Sequence, residues 1–185
     1  MPPRNHKNWL ATPDIEHISS ECYNNYEVYQ QELEHIFSKV WIPMCHTSEM
    51  PKANDFRSTQ IAHRNVVAVN HEGEFKVYLC PLVDRPSGNG ISVEGLTELH
   101  SGVQHGGMIW VTLDPNPVQS IDEWTAGAFD CIADAIDTEE MEIFHYHKAI
   151  IETNYKLWHD TNSEFYHDFM HYHNRVTGFN EAYFA

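Results

Sequence analysis

Between Trp158 and His173 the chain reads WHDTNSEFYHDFMHYH, a stretch dense in side chains that can bind a metal. Asp160, Glu164, His167 and His171 follow one another at spacings of four, three and four. Residues three and four apart share a face of a helix, so all four can project the same way. Glu164 and His167 are one turn apart, which suits either shared coordination of an ion or a hydrogen bond between them. His173 lies six residues beyond His167 and reaches the same point only if the helix ends or bends near Met170. Two imidazoles and one carboxylate on one side of an ion form the ligand set of non-heme ferrous oxygenases, whose open positions take dioxygen and substrate. The lack of a cysteine nearby disfavours structural zinc or an iron–sulfur centre at this point. Left unpaired among Trp158, Phe165, Tyr166, Phe169 and Met170, each polar group would cost roughly 1–3 kcal/mol. A shared ligand is the better account.

The elements around this stretch must hold it. Thr153 or Asn154 can cap a helix running through the histidine cluster. Ahead of it, Met141–Glu152 (MEIFHYHKAIIE) alternates as a strand does, which puts His145 and His147 on one solvent-facing side. Ser120, with Glu123 three residues on, resembles a capping box and opens one or two short helices. Strands are expected over Phe56–Ala62, Asn65–Asn70 and Phe75–Leu79, the last two joined by a turn around Gly73, and again over Gly107–Leu113. Met44–Asn54 reads as a loop, and Pro81–Gly90 interrupts regular structure. Tyr26–Val40 places Val28, Leu33, Ile36, Phe37 and Val40 near helical spacing. His100 and His105 have no evident partner.

Composition limits the function classes. A formal net charge of -16 over 185 residues repels nucleic-acid backbones and anionic membranes alike. The N-terminus MPPRNHKNWLATPD lacks the apolar core of a signal peptide, and no segment has the length of a membrane span. A soluble, cytoplasmic protein is expected. Cys22, Cys45, Cys80 and Cys131 form no CxxC pair and are expected to be reduced thiols.

NYKLWHDTNSEFYHDFMHYH, from Asn154 to His173, resembles the iron-site segment of the α subunits of Rieske non-heme iron oxygenases of the ring-hydroxylating type. That family carries an acidic residue, two spacers, His, four or five spacers and a second His. Glu164, where the family usually has Asp, and His167 match the first half; His173, after five spacers, is the better match for the second. FSKVW, DFRSTQIAHRNVVAVN, FKVYL and MIWVTLDPNPVQSIDEW are similar to the start and close of the family's N-terminal domain, so the likeness spans roughly 26–178.

The resemblance implies an α+β chain: a β-rich remnant of a Rieske-type domain, then the first strand and iron-site helix of a helix-grip-like catalytic domain. Residues 1–40 would form an arm and helix, 41–119 the β-rich remnant, and 120–185 a partial catalytic domain. It implies a mononuclear Fe(II) bound by His167 and His173, with His171 the choice of helix geometry alone. Glu164 would bridge to a neighbouring subunit's cluster, Asp160 would orient a ligand imidazole, and Asn162 would line the pocket. The implied chemistry is dioxygen activation to hydroxylate a small organic acid, a sulfonate or an aromatic acid. Implied partners are a ferredoxin or reductase and neighbouring α and β subunits.

Two departures stand against a complete enzyme. The family's Rieske [2Fe-2S] motif, Cys-x-His then Cys-x-x-His, should follow FKVYL, where this chain has CPLVDRPSGNGIS. Cys80 has no His two residues on, and Cys45 precedes His46 directly, so the cluster segment is expected to be deleted. The family's third iron ligand, an acidic residue, lies further downstream than Ala185. The alternatives are an inactive or metal-binding remnant that packs with other subunits, and a zinc hydrolase using His167 and His171. The last lacks the Glu of the zincin pattern, since Asp168, Phe169 and Met170 stand between the two histidines.

Overall fold

In the computed structural model, residues 19–81, 86–131 and 141–163 are described. Their α+β architecture contains two antiparallel sheets, ordered β1-β8-β7 and β5-β2-β3-β4-β6. The strands are β1 (Ile42–His46), β2 (Asp55–Ile61), β3 (Arg64–His71), β4 (Glu74–Leu79), β5 (Ser87–Asn89), β6 (Thr97–Leu99), β7 (Ser101–Gln104) and β8 (Met108–Val111). The helices are α1 (Glu21–Asn24), α2 (Tyr26–Glu32), α3 (Ile121–Thr125) and α4 (Tyr155–Ser163). Two compact units result: Tyr29–His147, which holds both sheets, and Met1–Val28 with Lys148–Ala185.

In the β unit, β3 explains why VVAV is an unbroken apolar run. Successive side chains of a strand point to opposite faces. Val66 and Ala68 join Cys45, Met50, Val77, Ile109 and Val111 in one core. Val67 and Val69 join Phe56, Tyr78 and Cys80 on the other face, covered by Ile91, Val93 and Leu96. A strand buried on both faces has no polar side to show. Ile109, wholly buried where β8 faces the larger sheet's core, has no room to relax. Ile109→Ala should therefore cost about 2–5 kcal/mol, read as a lower urea midpoint for the β unit by circular dichroism.

The hairpin of β3 and β4 turns on Glu72 and Gly73, both at positive φ (55° and 99°), the conformation a two-residue turn demands. Asn70 secures it, accepting from the Gly73 amide at 2.6 Å and donating to the Met50 carbonyl at 2.8 Å. The hairpin of β2 and β3 makes the same turn without glycine, through Ala62 and His63 at φ 46° and 61°. The His63 ring is held by the Tyr29 hydroxyl at 2.8 Å, a contact that helps maintain an unfavourable backbone.

The structure departs from sequence expectation in three places. The helix of 26–40 stops at Glu32 and widens into a π turn over Leu33–Phe37, which the Ser38 hydroxyl closes on the Glu34 carbonyl. Met44–Asn54 is not all loop: Met44, Cys45 and His46 lie in β1, an edge strand that tolerates Pro43 because its bulge falls between Pro43 and Cys45. Residues 141–150 form no strand and are exposed. Alternation encodes two faces, but a strand also needs a paired neighbour.

Candidate metal centre

The Ser120 capping box is present, with the Ser120 amide donating to Glu123 at 2.8 Å and the Glu123 amide to the Ser120 hydroxyl at 3.3 Å. The same local logic starts the helix that leads into the histidine motif. Asn154 precedes α4 and caps it, its side-chain oxygen accepting from the Lys156 amide at 2.9 Å. Asp160 lies on α4, exposed, and its carboxylate accepts from the Tyr23 hydroxyl at 2.7 Å. That bond is the first cause holding the Tyr23 phenol above its ordinary pKa. Asn162 lies on α4 as well, while Glu164, His167, His171 and His173 fall outside the described residues.

α4 is also gripped from α1. Asn154 donates through its side-chain amide to the Tyr23 carbonyl at 2.5 Å, and the Lys156 ammonium donates to the Cys22 carbonyl. These carbonyls belong to the last turn of α1, where a helix has no internal donors left. Sequence reasoning missed Tyr23, Asn154 and Lys156 as a group. The only signal for it was the Asn-aromatic-Lys triplet, read as a family mark without a physical job.

For a Rieske cluster the donors of the β unit do not fit. Such a centre needs two thiolates and two imidazoles. Cys45 and Cys80 are each 6% exposed and sit in two different apolar clusters. Burial pushes the Cys45 thiol up to about 12, with Glu49 adding to the shift and Arg57 opposing it. The neighbouring His46 is already committed: Nδ1 accepts from the Ser48 amide at 3.1 Å and Nε2 meets the Gly106 carbonyl. The ring lies so close to Gly107 that a Cβ there would stand 2.6 Å from Nε2. His63, His71 and His100 likewise spend a ring nitrogen on Tyr29, Tyr78 and the Pro115 carbonyl, the last correcting the expectation that His100 has no partner. No group of three metal-capable side chains forms among the described residues.

All four cysteines are free thiols. At pH 8 an aromatic disulfide reagent should modify exposed Cys131 within seconds and Cys45 only after unfolding, as burial disfavours the reactive thiolate. The linkage has a definite sign. Because folding raises the Cys45 pKa from 9.0 to about 12, this contribution to stability is full below pH 9 and is lost as pH climbs towards 12.

Among solved structures, the fold is similar to a quaternary ammonium Rieske monooxygenase bound to L-carnitine (TM-score 0.72, 18% identity, 88% of this chain and 56% of that one). It is also similar to naphthalene 1,2-dioxygenase from Rhodococcus sp. (TM-score 0.72, 17% identity, 92% and 49%). These likenesses define the fold as that of Rieske oxygenases. No family model matches the chain. By sequence it is a homologue of Rieske non-heme iron oxygenase α subunits, matching part of their length. It is 43% identical to the methanesulfonate monooxygenase hydroxylase α subunit of Methylosulfonomonas methylovora, over 100% of this chain and 57% of that protein. It is 29% identical to the 2-aminobenzenesulfonate 2,3-dioxygenase α subunit of Alcaligenes sp., over 88% and 51%. The chain thus spans about half the length of the curated relatives it matches. The first alignment runs over 238 positions against 185 residues here, so at least 53 positions (238 minus 185) have no counterpart in this chain. In the described residues no helix is long and apolar enough to cross a membrane.

Proposed function

We propose that this chain is part of a non-heme iron oxygenase α subunit that retains the mononuclear iron site and lacks the Rieske cluster. The observation that carries the reading is 43% identity to the methanesulfonate monooxygenase α subunit along the whole chain, with Glu164-x2-His167-x5-His173 standing directly after α4. Two neutral imidazoles suit ferrous iron by donor chemistry. His167 and His173 would hold the ion, which when bound supplies the centre for reductive activation of dioxygen. Glu164 orients a ligand imidazole by accepting its free N–H, as outer carboxylates do at such sites, and Asn162 lines the pocket. The substrate class is a small organic acid, a sulfonate before an aromatic acid, because both long-matching relatives named above act on sulfonates by name. Electrons arrive from another polypeptide, a ferredoxin, a reductase or a neighbouring α subunit, in an assembly that includes β subunits. The cytoplasm, where free thiols persist, is the matching compartment.

Anaerobic titration with ferrous iron tests this directly. One iron per chain is expected; no iron at any concentration overturns the reading. The rival, a remnant that packs with other subunits, is favoured by the 53 or more missing positions. It prevails if iron binds but a full set of reductase, α and β partners never consumes dioxygen with a sulfonate.

A further inference from the structure

We infer that Tyr23 is a positioning residue for the candidate iron site, acting through Asp160 to fix the roll of the helix that delivers the motif. The three bonds between α1 and α4 are spread along the start of α4, at Asn154, Lys156 and Asp160. The first two involve only carbonyls of α1 and locate the end of α4. They leave the helix free to pivot about that end. The Tyr23–Asp160 bond is different, being side chain to side chain and one turn further along, on the same face as Lys156. Two points of attachment a turn apart on one face stop rotation about the helix axis.

Asp160 stands four residues before Glu164 and seven before His167. Whatever fixes the roll of α4 at Asp160 therefore fixes the direction in which the chain enters the acidic–histidine motif. Asp160 was expected to orient a ligand imidazole; its described partner is instead the Tyr23 hydroxyl, 137 residues earlier. The raised phenol pKa agrees with a hydroxyl kept protonated as the donor to a carboxylate. This inference rests on the proposed iron reading for its functional half and on the helix contact for its structural half.

The test uses the full chain with Tyr23→Phe, which deletes only the hydroxyl, and Asp160→Asn, whose amide oxygen still accepts from Tyr23. Hydrogen exchange of the 157–163 amides should rise about three- to tenfold in Tyr23→Phe and stay near parent in Asp160→Asn, the scale expected for one lost hydrogen bond in a local opening. Co(II), used as a coloured stand-in for ferrous iron, should bind Tyr23→Phe about three- to tenfold more weakly with shifted visible ligand-field bands. Asp160→Asn should keep the parent spectrum. Parent-like exchange and spectrum in Tyr23→Phe overturn the inference. If the parent itself binds no Co(II), the iron reading fails, and the exchange data alone decide whether the lock on α4 exists.

Discussion

Reconstituting this chain anaerobically with ferrous iron and sulfide is expected to form no two-iron cluster, leaving neither the visible bands nor the low-field-shifted electron paramagnetic signal of a Rieske centre. The expectation is a matter of donors. A cluster would have to draw Cys45 and Cys80 from separate cores on opposite faces of the five-stranded sheet. It would also have to ionise a thiol whose burial sets its pKa at about 12. His46, the nearest imidazole in sequence, would have to give up its contacts to Ser48 and the Gly106 carbonyl. Each step costs core packing or a hydrogen bond, and all are needed at once. Cys22 and Cys131 offer no substitute, since neither stands within two or three residues of a histidine. A Rieske signal at one cluster per chain would show that the β unit rearranges, and would sink both the donor argument and the proposal of a cluster-free subunit. A brown product that precipitates or washes out with chelator would be adventitious iron sulfide and would uphold the expectation.

What the sequence disclosed follows from which forces are local. The hairpin at Gly73 was legible because a two-residue turn needs positive φ and β-rich runs flank it. The Ser120 capping box was legible because both partners lie within one turn. The π turn after Glu32 was not, because it hangs on one Ser38 hydroxyl that could equally have faced water. β5, β6 and β7 were missed for another reason: they have three, three and four residues and owe their conformation to β2, β4 and β8. Too short to show a period, they exist because a longer strand offers an open edge. The candidate site divides in the same way. Its metal-capable residues were plain from type and spacing, while the Tyr23 contact to Asp160 spans nearly the whole chain and could be seen only once folded.

Replacing the histidines one at a time should separate the two ligand assignments. His167→Ala is expected to weaken ferrous binding more than about a hundredfold, beyond the 10- to 100-fold typical of losing an outer partner. His167 belongs to every ligand set the spacing permits, so this loss comes whichever second histidine binds. His173→Ala should match it, and His171→Ala should stay within a few-fold of parent, as competition titration against a coloured chelator would read. A continuous helix would place His171, four residues from His167, directly above it and carry His173 off that face. Selecting His173 therefore requires the helix begun at Tyr155 to end or bend near Met170, and the variants report on that break as well as on the ligand. If His171→Ala is the damaging change, the helix continues through Met170 and the pair is His167-x3-His171. Zinc then becomes the natural occupant, yet Asp168, Phe169 and Met170 still provide no Glu to activate water. A damaging His171→Ala would thus remove the oxygenase assignment without establishing a hydrolase. A damaging His173→Ala with a silent His171→Ala would leave ferrous iron, held by neutral imidazoles beside an acidic residue, as the occupant that fits.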